Sequence, residues 1–203
     1  MEREEGLRRL QSLVGQDLGP LADHFAVTVR VGNRPNKGWA GQTLERFLDR
    51  PQDSSRDPDF GDWELKATSL KRSPRGRLVP KETMAITMID PDEVVGTEFE
   101  DSHLLRKLGR IVLVARIFEG QDERRSLIHS VQSFDLNDPV LRGAVREDYD
   151  LVRDTIRTAG FKALTGTMGR FVQPRTKGPG HGSTSRAFYA RASFVARILG
   201  IVQ

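Results

Sequence analysis

Apolar residues recur along the chain with two periods, and together these predict helices packed around a sheet. Leu7, Leu10, Leu13 and Val14 share one face of a helix over residues 2–14, and a short second helix follows over 18–25. Residues 26–32 read as extended, and Gly32 to Gly38 as a loop rich in helix breakers. Trp39, Ala40, Leu44, Phe47 and Leu48 recur at three and four, which predicts an amphipathic helix with Glu45 at the border of its apolar face. Beyond a polar loop over 50–58, Phe60 to Ser69 alternates as a strand does. Trp63, Leu65 and Ala67 fall on one face, and Glu64, Lys66 and Thr68 on the other. Thr83 to Ile89 is a second strand, ended by Asp90-Pro91, and Ser102 to Leu108 a short helix. The unbroken apolar run Ile111 to Ala115 is the pattern of a central strand buried on both faces. Leu127 to Phe134 is a further strand. Leu141, Val145, Tyr149, Val152 and Ile156 line one face of a long helix over 138–158. A basic loop rich in Gly and Pro over 170–186 leads to a closing helix over 187–201. The order predicts an α/β (α+β) class with a central mixed β-sheet flanked by helices. One domain over 1–203 is expected, with a small C-terminal lobe over about 138–203.

Composition narrows the chemistry. Hydrophobic residues make up 37% of the 203 and charged residues 30%, enough apolar content for a real core. No apolar run approaches the roughly 18–20 residues that span a membrane, and the charged start Met1 to Glu5 lacks a signal-peptide core. A cytoplasmic protein is expected. Without cysteine there are no disulfides, thiolate zinc sites or cysteine nucleophiles. The histidines His24, His103, His129 and His181 form no metal-ligand spacing, and no phosphate-binding P-loop is present. Net charge is +4 and the isoelectric point about 9.7, a small basic excess. Its distribution is more telling: Gln173 to Arg197 carries Arg175, Lys177, Arg186, Arg191 and Arg197 and no acidic residue. A stretch of one sign suits a phosphate-facing surface.

Candidate chemistry centres on Asp59, Glu64 and Lys66. Hydrolysing a phosphodiester requires a nucleophilic water, in-line geometry and shielding of phosphate charge, all of which Mg²⁺ supplies from carboxylate oxygens. Glu64 and Lys66, two apart on a strand, point to one face, and Asp59 sits five residues earlier where a bend can bring it to the same ion. Asp62 lies in the same window, so either aspartate can serve. Spacing alone equally describes a solvated charged face on an edge strand. Phe60 and Trp63 around the charges argue for burial, and Glu45 adds a third carboxylate. The basic stretch Arg72, Arg75 and Arg77 is either a phosphate-contacting loop or a solvated turn.

Taken in series, Lys37-Gly38-Trp39 to Glu45, Pro58-Asp59-Phe60 and Trp63-Glu64-Leu65-Lys66 resemble the MutH/Sau3AI family of PD-(D/E)XK restriction-like endonucleases. Pro80 to Ile86, Ser102 to Leu108, Gln173 to Gly178 and Arg186 to Tyr189 continue the resemblance in order. The resemblance implies a restriction-endonuclease-like core and cleavage or nicking of double-stranded DNA at GATC. It implies Mg²⁺, with Mn²⁺ as a substitute, held by Asp59, Glu64 and Glu45, with Lys66 handling the water and Lys107 supporting it. It further implies DNA contacts from Lys37, Arg72, Gln173, Arg175, Lys177, His181, Arg186, Tyr189 and Arg191. The sequence departs from the MutH pattern in a shorter spacing between Asp59 and Glu64 and in a reading loop richer in Gly and Pro, Gly178 to Gly182. The middle and C-terminal segments resemble Sau3AI more closely, so a type II restriction enzyme, cutting both strands as a homodimer on DNA, is the first expectation. A mismatch-repair endonuclease that nicks the unmethylated strand of hemimethylated GATC with a MutL-type activator is the second. A DNA-binding protein without catalysis is the third, against which stand the intact Asp59, Glu64 and Lys66.

Overall fold

The computed structural model describes residues 1–32, 34–50, 57–118, 125–178 and 184–201. The chain begins with α1 (Arg3–Gln11) and α2 (Leu18–His24), then the two-residue strands β1 (Arg30–Val31) and β2 (Arg34–Pro35), then α3 (Trp39–Phe47). Next come β3 (Glu64–Arg72), β4 (Leu78–Pro80), β5 (Met84–Met88), α4 (Pro91–Gly96) and α5 (His103–Leu108). After these follow β6 (Arg110–Ile117), β7 (Ile128–Asp135), α6 (Pro139–Ala159), β8 (Val172–Thr176), β9 (Arg186–Ala190) and α7 (Ala192–Ile198). No helix among the described residues is long and apolar enough to cross a membrane.

The main sheet has the order β4-β3-β6-β7. Its centre is a parallel pair, β3 on β6, with Glu64 beside Ile111 and Lys66 beside Leu113. Antiparallel β4 and β7 complete it, so the sheet is mixed, as the pattern predicts. Parallel neighbours need a long crossover, and here it contains β4, β5, α4 and α5. The apolar run of β6 divides by alternation between two cores. Val112 and Val114 join Leu10, Leu18, Trp39 and Leu44 under the first three helices. Ile111, Leu113 and Ala115 join Leu104, Leu108, Val145, Tyr149 and Phe194 on the opposite face.

A second sheet, β5-β9-β8, closes over the later core. It corrects two sequence expectations. Residues 170–186 are not wholly loop, since β8 lies within them, and the closing helix over 187–201 is β9 followed by the short α7. Ala187 and Ala190 favour a helix locally, but β9 pairs on both sides, with Ala187 facing Met88 and Arg175, and tertiary pairing overrides propensity. Because β5 comes from residues 84–88, the C-terminal stretch expected to form its own lobe shares a sheet with the middle of the chain. The Asp90-Pro91 step, read as a strand end, also starts a helix. The Asp90 carboxylate accepts the Asp92 and Glu93 N–H groups at 3.2 and 3.3 Å and caps α4.

Two polar clamps, one of them buried, fix the second sheet. Asp148 of α6 is 5% exposed, and its carboxylate accepts the N–H groups of Arg170, Phe171 and Val172 at 2.6, 2.7 and 2.8 Å. Gly169 allows this turn: its φ is +76°, and an added Cβ would sit 1.9 Å from the Val172 carbonyl oxygen. The Arg191 guanidinium meanwhile donates to the carbonyls of Gly166, Thr167, Met168 and Gly169. Asp148→Ala leaves three donors without their charged acceptor and is expected to cost roughly 3 kcal/mol, read as a lowered urea midpoint; an unchanged midpoint contradicts this account of the clamp.

Candidate active site

The site starts from a turn that the sequence makes stiff. Trp63 is fully buried, donates from Nε1 to the Met1 carbonyl at 3.1 Å, and stacks on Phe60 with ring centroids 4.1 Å apart. Gly61, at φ +81°, turns the chain between them. The turn delivers Asp59 to the start of β3, where two reciprocal bonds lock it. The Asp59 N–H donates to Glu64 Oε2 at 3.0 Å, and Asp59 Oδ2 accepts the Leu65 N–H at 3.2 Å.

Glu64 is 2% exposed, and a buried carboxylate is tolerable only with partners. Lys66 Nζ donates to its Oε1 at 2.5 Å, from two residues along the same strand face. Lys107 Nζ, itself buried, donates to its Oε2 at 2.9 Å and stands 3.9 Å from Asp59 Oδ1. Lys107 arrives from α5 because that helix leads directly into β6, the parallel neighbour of β3. Arg50 completes the group: Nε donates to the Asp59 carbonyl, and Nη1 lies 3.6 Å from Asp59 Oδ1.

Electrostatics mark the carboxylates as crowded. Burial and then the Glu64 charge push the Asp59 carboxyl above its ordinary range, against the pull of Lys66, Lys107 and Arg50. Burial, then Asp59, also raise Glu45, with Glu64 adding to the rise and Arg50 and Lys66 opposing it. Among the described residues no three His, Asp or Glu side chains close to metal-holding separation. Glu45 therefore stands beside the Asp59–Glu64 pair rather than inside one ligand set. The pair still fits a hard divalent ion, since Mg²⁺ typically takes one or two carboxylates and keeps waters or phosphate oxygens elsewhere.

Asp59, Glu45, Arg50 and Lys66 line a cleft of about 610 Å³. Its other walls include Lys37 before α3, Ser69 of β3, Glu82 and Thr83 before β5, Arg116 of β6, and Lys177 and Tyr189 of the second sheet. Lys177 and Tyr189 thus lie across the cleft from the carboxylates. Burial, with Lys66 nearby, lowers the Lys177 ammonium, and burial raises the Tyr189 hydroxyl, opposed by Arg175. Arg175 lies 5.9 Å from the Tyr189 ring and donates to Thr83 Oγ1 at 2.9 Å.

Other expected site residues sit elsewhere. Asp62 is more than half exposed and pairs with Arg110, which leaves Asp59 as the aspartate facing Glu64. Gln173 is 5% exposed within β8 and does not line the cleft. Arg186 donates to Thr176 Oγ1 and the Lys162 carbonyl and lies over the Phe161 ring, serving the turn after α6. Arg191 is consumed by the four carbonyls of its clamp. Arg72 lies at the far end of β3, and His181 falls outside the described residues. Arg50, Ser69, Glu82 and Arg116 line the cleft without having been marked by the sequence. Arg50 follows a helix end and Arg116 an apolar run, positions that carry no chemical signature of their own.

The family model described as "DNA mismatch repair enzyme MutH" matches residues 48–140, a span holding Asp59, Glu64, Lys66 and Lys107. Over that span the chain is similar to the MutH family of restriction-like endonucleases. The DNA mismatch repair protein MutH of Pasteurella multocida is 24% identical over 212 residues, covering 97% of this chain and 94% of that protein. The MutH of Vibrio cholerae is 27% identical over 213 residues, covering 97% and 95%, and that of Pectobacterium atrosepticum 26% over 214 residues, covering 95% and 89%. Among solved structures, a complex of restriction endonuclease MvaI with cognate DNA matches with a TM-score of 0.39 and 13% identity, over 98% of this chain and 97% of that one.

The raised Asp59 carboxyl makes a prediction for this site. Folding without metal disfavours the ionised Asp59 relative to the unfolded chain, so the stability this group contributes is present at low pH and is lost as pH rises through its raised value. Asp59→Asn is therefore expected to raise the metal-free Tm at pH 7 by a few degrees. Mg²⁺ should stabilise the wild type and leave the variant unmoved. A variant that melts below wild type at pH 7 contradicts the assignment.

Proposed function

We propose that this chain is a Mg²⁺-dependent DNA endonuclease of the mismatch-repair kind, which nicks the unmethylated strand of hemimethylated GATC under a MutL-type activator. The observation that carries the reading is the buried Glu64, bonded to Lys66 and Lys107 and to the backbone of Asp59, with Asp59 and Lys66 lining the cleft. Magnesium bound at Asp59 and Glu64 supplies an activated water and shields phosphate charge, and Mn²⁺ is the expected substitute. Lys66, lining the cleft beside the pair, would orient a water or steady the phosphate. Lys107, below, balances the negative charge of the pair. Glu45 reaches the site from α3 as an auxiliary carboxylate. Lys37, Lys177, Tyr189 and Arg175 then face the duplex from the walls.

This reading departs from the first sequence expectation, a type II restriction enzyme cutting both strands as a homodimer. That expectation rests on the middle and C-terminal segments, yet relatives carrying the repair name match across 97% of the chain, those segments included. Strand count decides between the two. A supercoiled plasmid bearing one hemimethylated GATC, incubated with Mg²⁺ and a MutL-type activator, should become open circles nicked on the unmethylated strand. Lys66→Ala and Glu64→Gln should each slow nicking by roughly 10²–10³-fold. Linear product without activator restores the restriction reading, and full activity in both variants removes the active-site assignment.

A further inference from the structure

The β3–β4 hairpin carries charge that the rest of the molecule does not neutralise. From Lys71 to Lys81 the sequence is KRSPRGRLVPK: five cations and no acid in one short segment, against a net charge of +4 for the whole chain. Lys71, Arg72, Arg75 and Arg77 are all exposed. None of these four forms an ion pair among the described residues, whereas Arg3, Arg9, Arg110, Arg142, Arg146 and Arg153 all do. The Arg72 guanidinium instead donates to the Gly76 carbonyl at 3.2 Å inside the turn.

The hairpin is a built element with a fixed place. Leu70, Lys71 and Arg72 pair with Pro80, Val79 and Leu78. Two bonds close the tip, Ser73 N–H to the Arg77 carbonyl and back from Gly76 N–H to the Ser73 carbonyl, both at 2.8 Å. Leu78, beside the turn, packs on the core, and the Lys81 ammonium sits 3.4 Å from the Phe118 ring centroid. Most important is what it connects. Residues 65–69 on one side and 82–85 on the other both line the cleft, so the hairpin rises from the cleft rim.

We propose that this hairpin is a phosphate-gripping outrigger, which holds the duplex backbone on one side of the cut and reads no bases. The proposal rests on the DNA-endonuclease reading and extends it. Seven residues of strand separate Glu64 from Lys71, about 23 Å at 3.3 Å per residue, or about seven base pairs of duplex at 3.4 Å each. The grip therefore lies well outside a four-base-pair target. Arginine and lysine side chains held on a stiff turn suit phosphate oxygens, which fix register without sequence information.

Fluorescence anisotropy with metal-free protein tests this. The triple variant Lys71→Gln, Arg75→Gln, Arg77→Gln is compared with wild type on 30-base-pair and 8-base-pair duplexes centred on GATC. On the long duplex the slope of log Kd against log salt should fall by about two to three, at about 0.9 for each phosphate that the variant no longer grips. Affinity at near-physiological salt should fall by roughly 10–100-fold. On the short duplex, which ends before the hairpin, the two proteins should bind alike. An unchanged slope on the long duplex overturns the outrigger, and so does an equal loss on both lengths, which would mean a general field rather than a local grip. A wild type that binds neither duplex in a salt-dependent way fails the endonuclease reading itself, a separate result.

Discussion

Everything at the site depends on keeping one carboxylate charged inside the protein. Glu64 is 2% exposed, and an unpaired charge there would cost several kcal/mol. Three donors prevent that: Lys66 from the same strand face, Lys107 from α5, and the Asp59 backbone N–H. The three come from different parts of the chain, so the charge is satisfied only when the turn before β3, the parallel pairing of β3 with β6, and the helix leading into β6 are all in place. The fold and the chemistry therefore share one constraint. In the proposed function, the same ammonium groups that balance Glu64 would meet the charge of a phosphate.

The cleft is assembled from both sheets, and its two walls are held differently. The carboxylate wall is built on the buried parallel pair, where side-chain alternation leaves little freedom. The opposite wall, with Lys177 and Tyr189, rests on a three-stranded sheet positioned by Asp148 and Arg191. Stability is withheld at the site itself: Asp59 and Glu45 are pushed towards protonation by burial and by neighbouring carboxylates. Such crowding of like charge is destabilising alone and becomes favourable with a cation between the groups, the ordinary compromise between stability and activity.

Much of this was legible in the sequence, for reasons particular residues make clear. The alternation through Glu64 and Lys66, the apolar run at Ile111 to Ala115, and the 3.6-residue period from Leu141 to Ile156 each survive as β3, β6 and α6, because burial enforces those periods. The C-terminal sheet was not legible. Arg186 to Ala190 has no alternation strong enough to overcome its alanines, and its partners lie on β8 and, distant in sequence, on β5. The same blindness extends to the site: Gln173, Arg186 and Arg191 read as a basic surface because charge in a sequence does not reveal which side chains the backbone consumes. Asp59 and Asp62 were equivalent by spacing, and only the turn at Gly61 separates them, sending one to Glu64 and the other to Arg110.

The central claim is that Asp59 and Glu64 form the divalent-ion centre. The most direct measurement is an anomalous difference map from crystals soaked in Mn²⁺ at neutral pH. A peak is expected at ligand distance from one Asp59 carboxylate oxygen and one Glu64 carboxylate oxygen, with the Lys66 ammonium moved off Glu64. A peak held by Asp62 or other carboxylates, or no peak at Glu64 while its bonds to Lys66 and Lys107 persist, would contradict it.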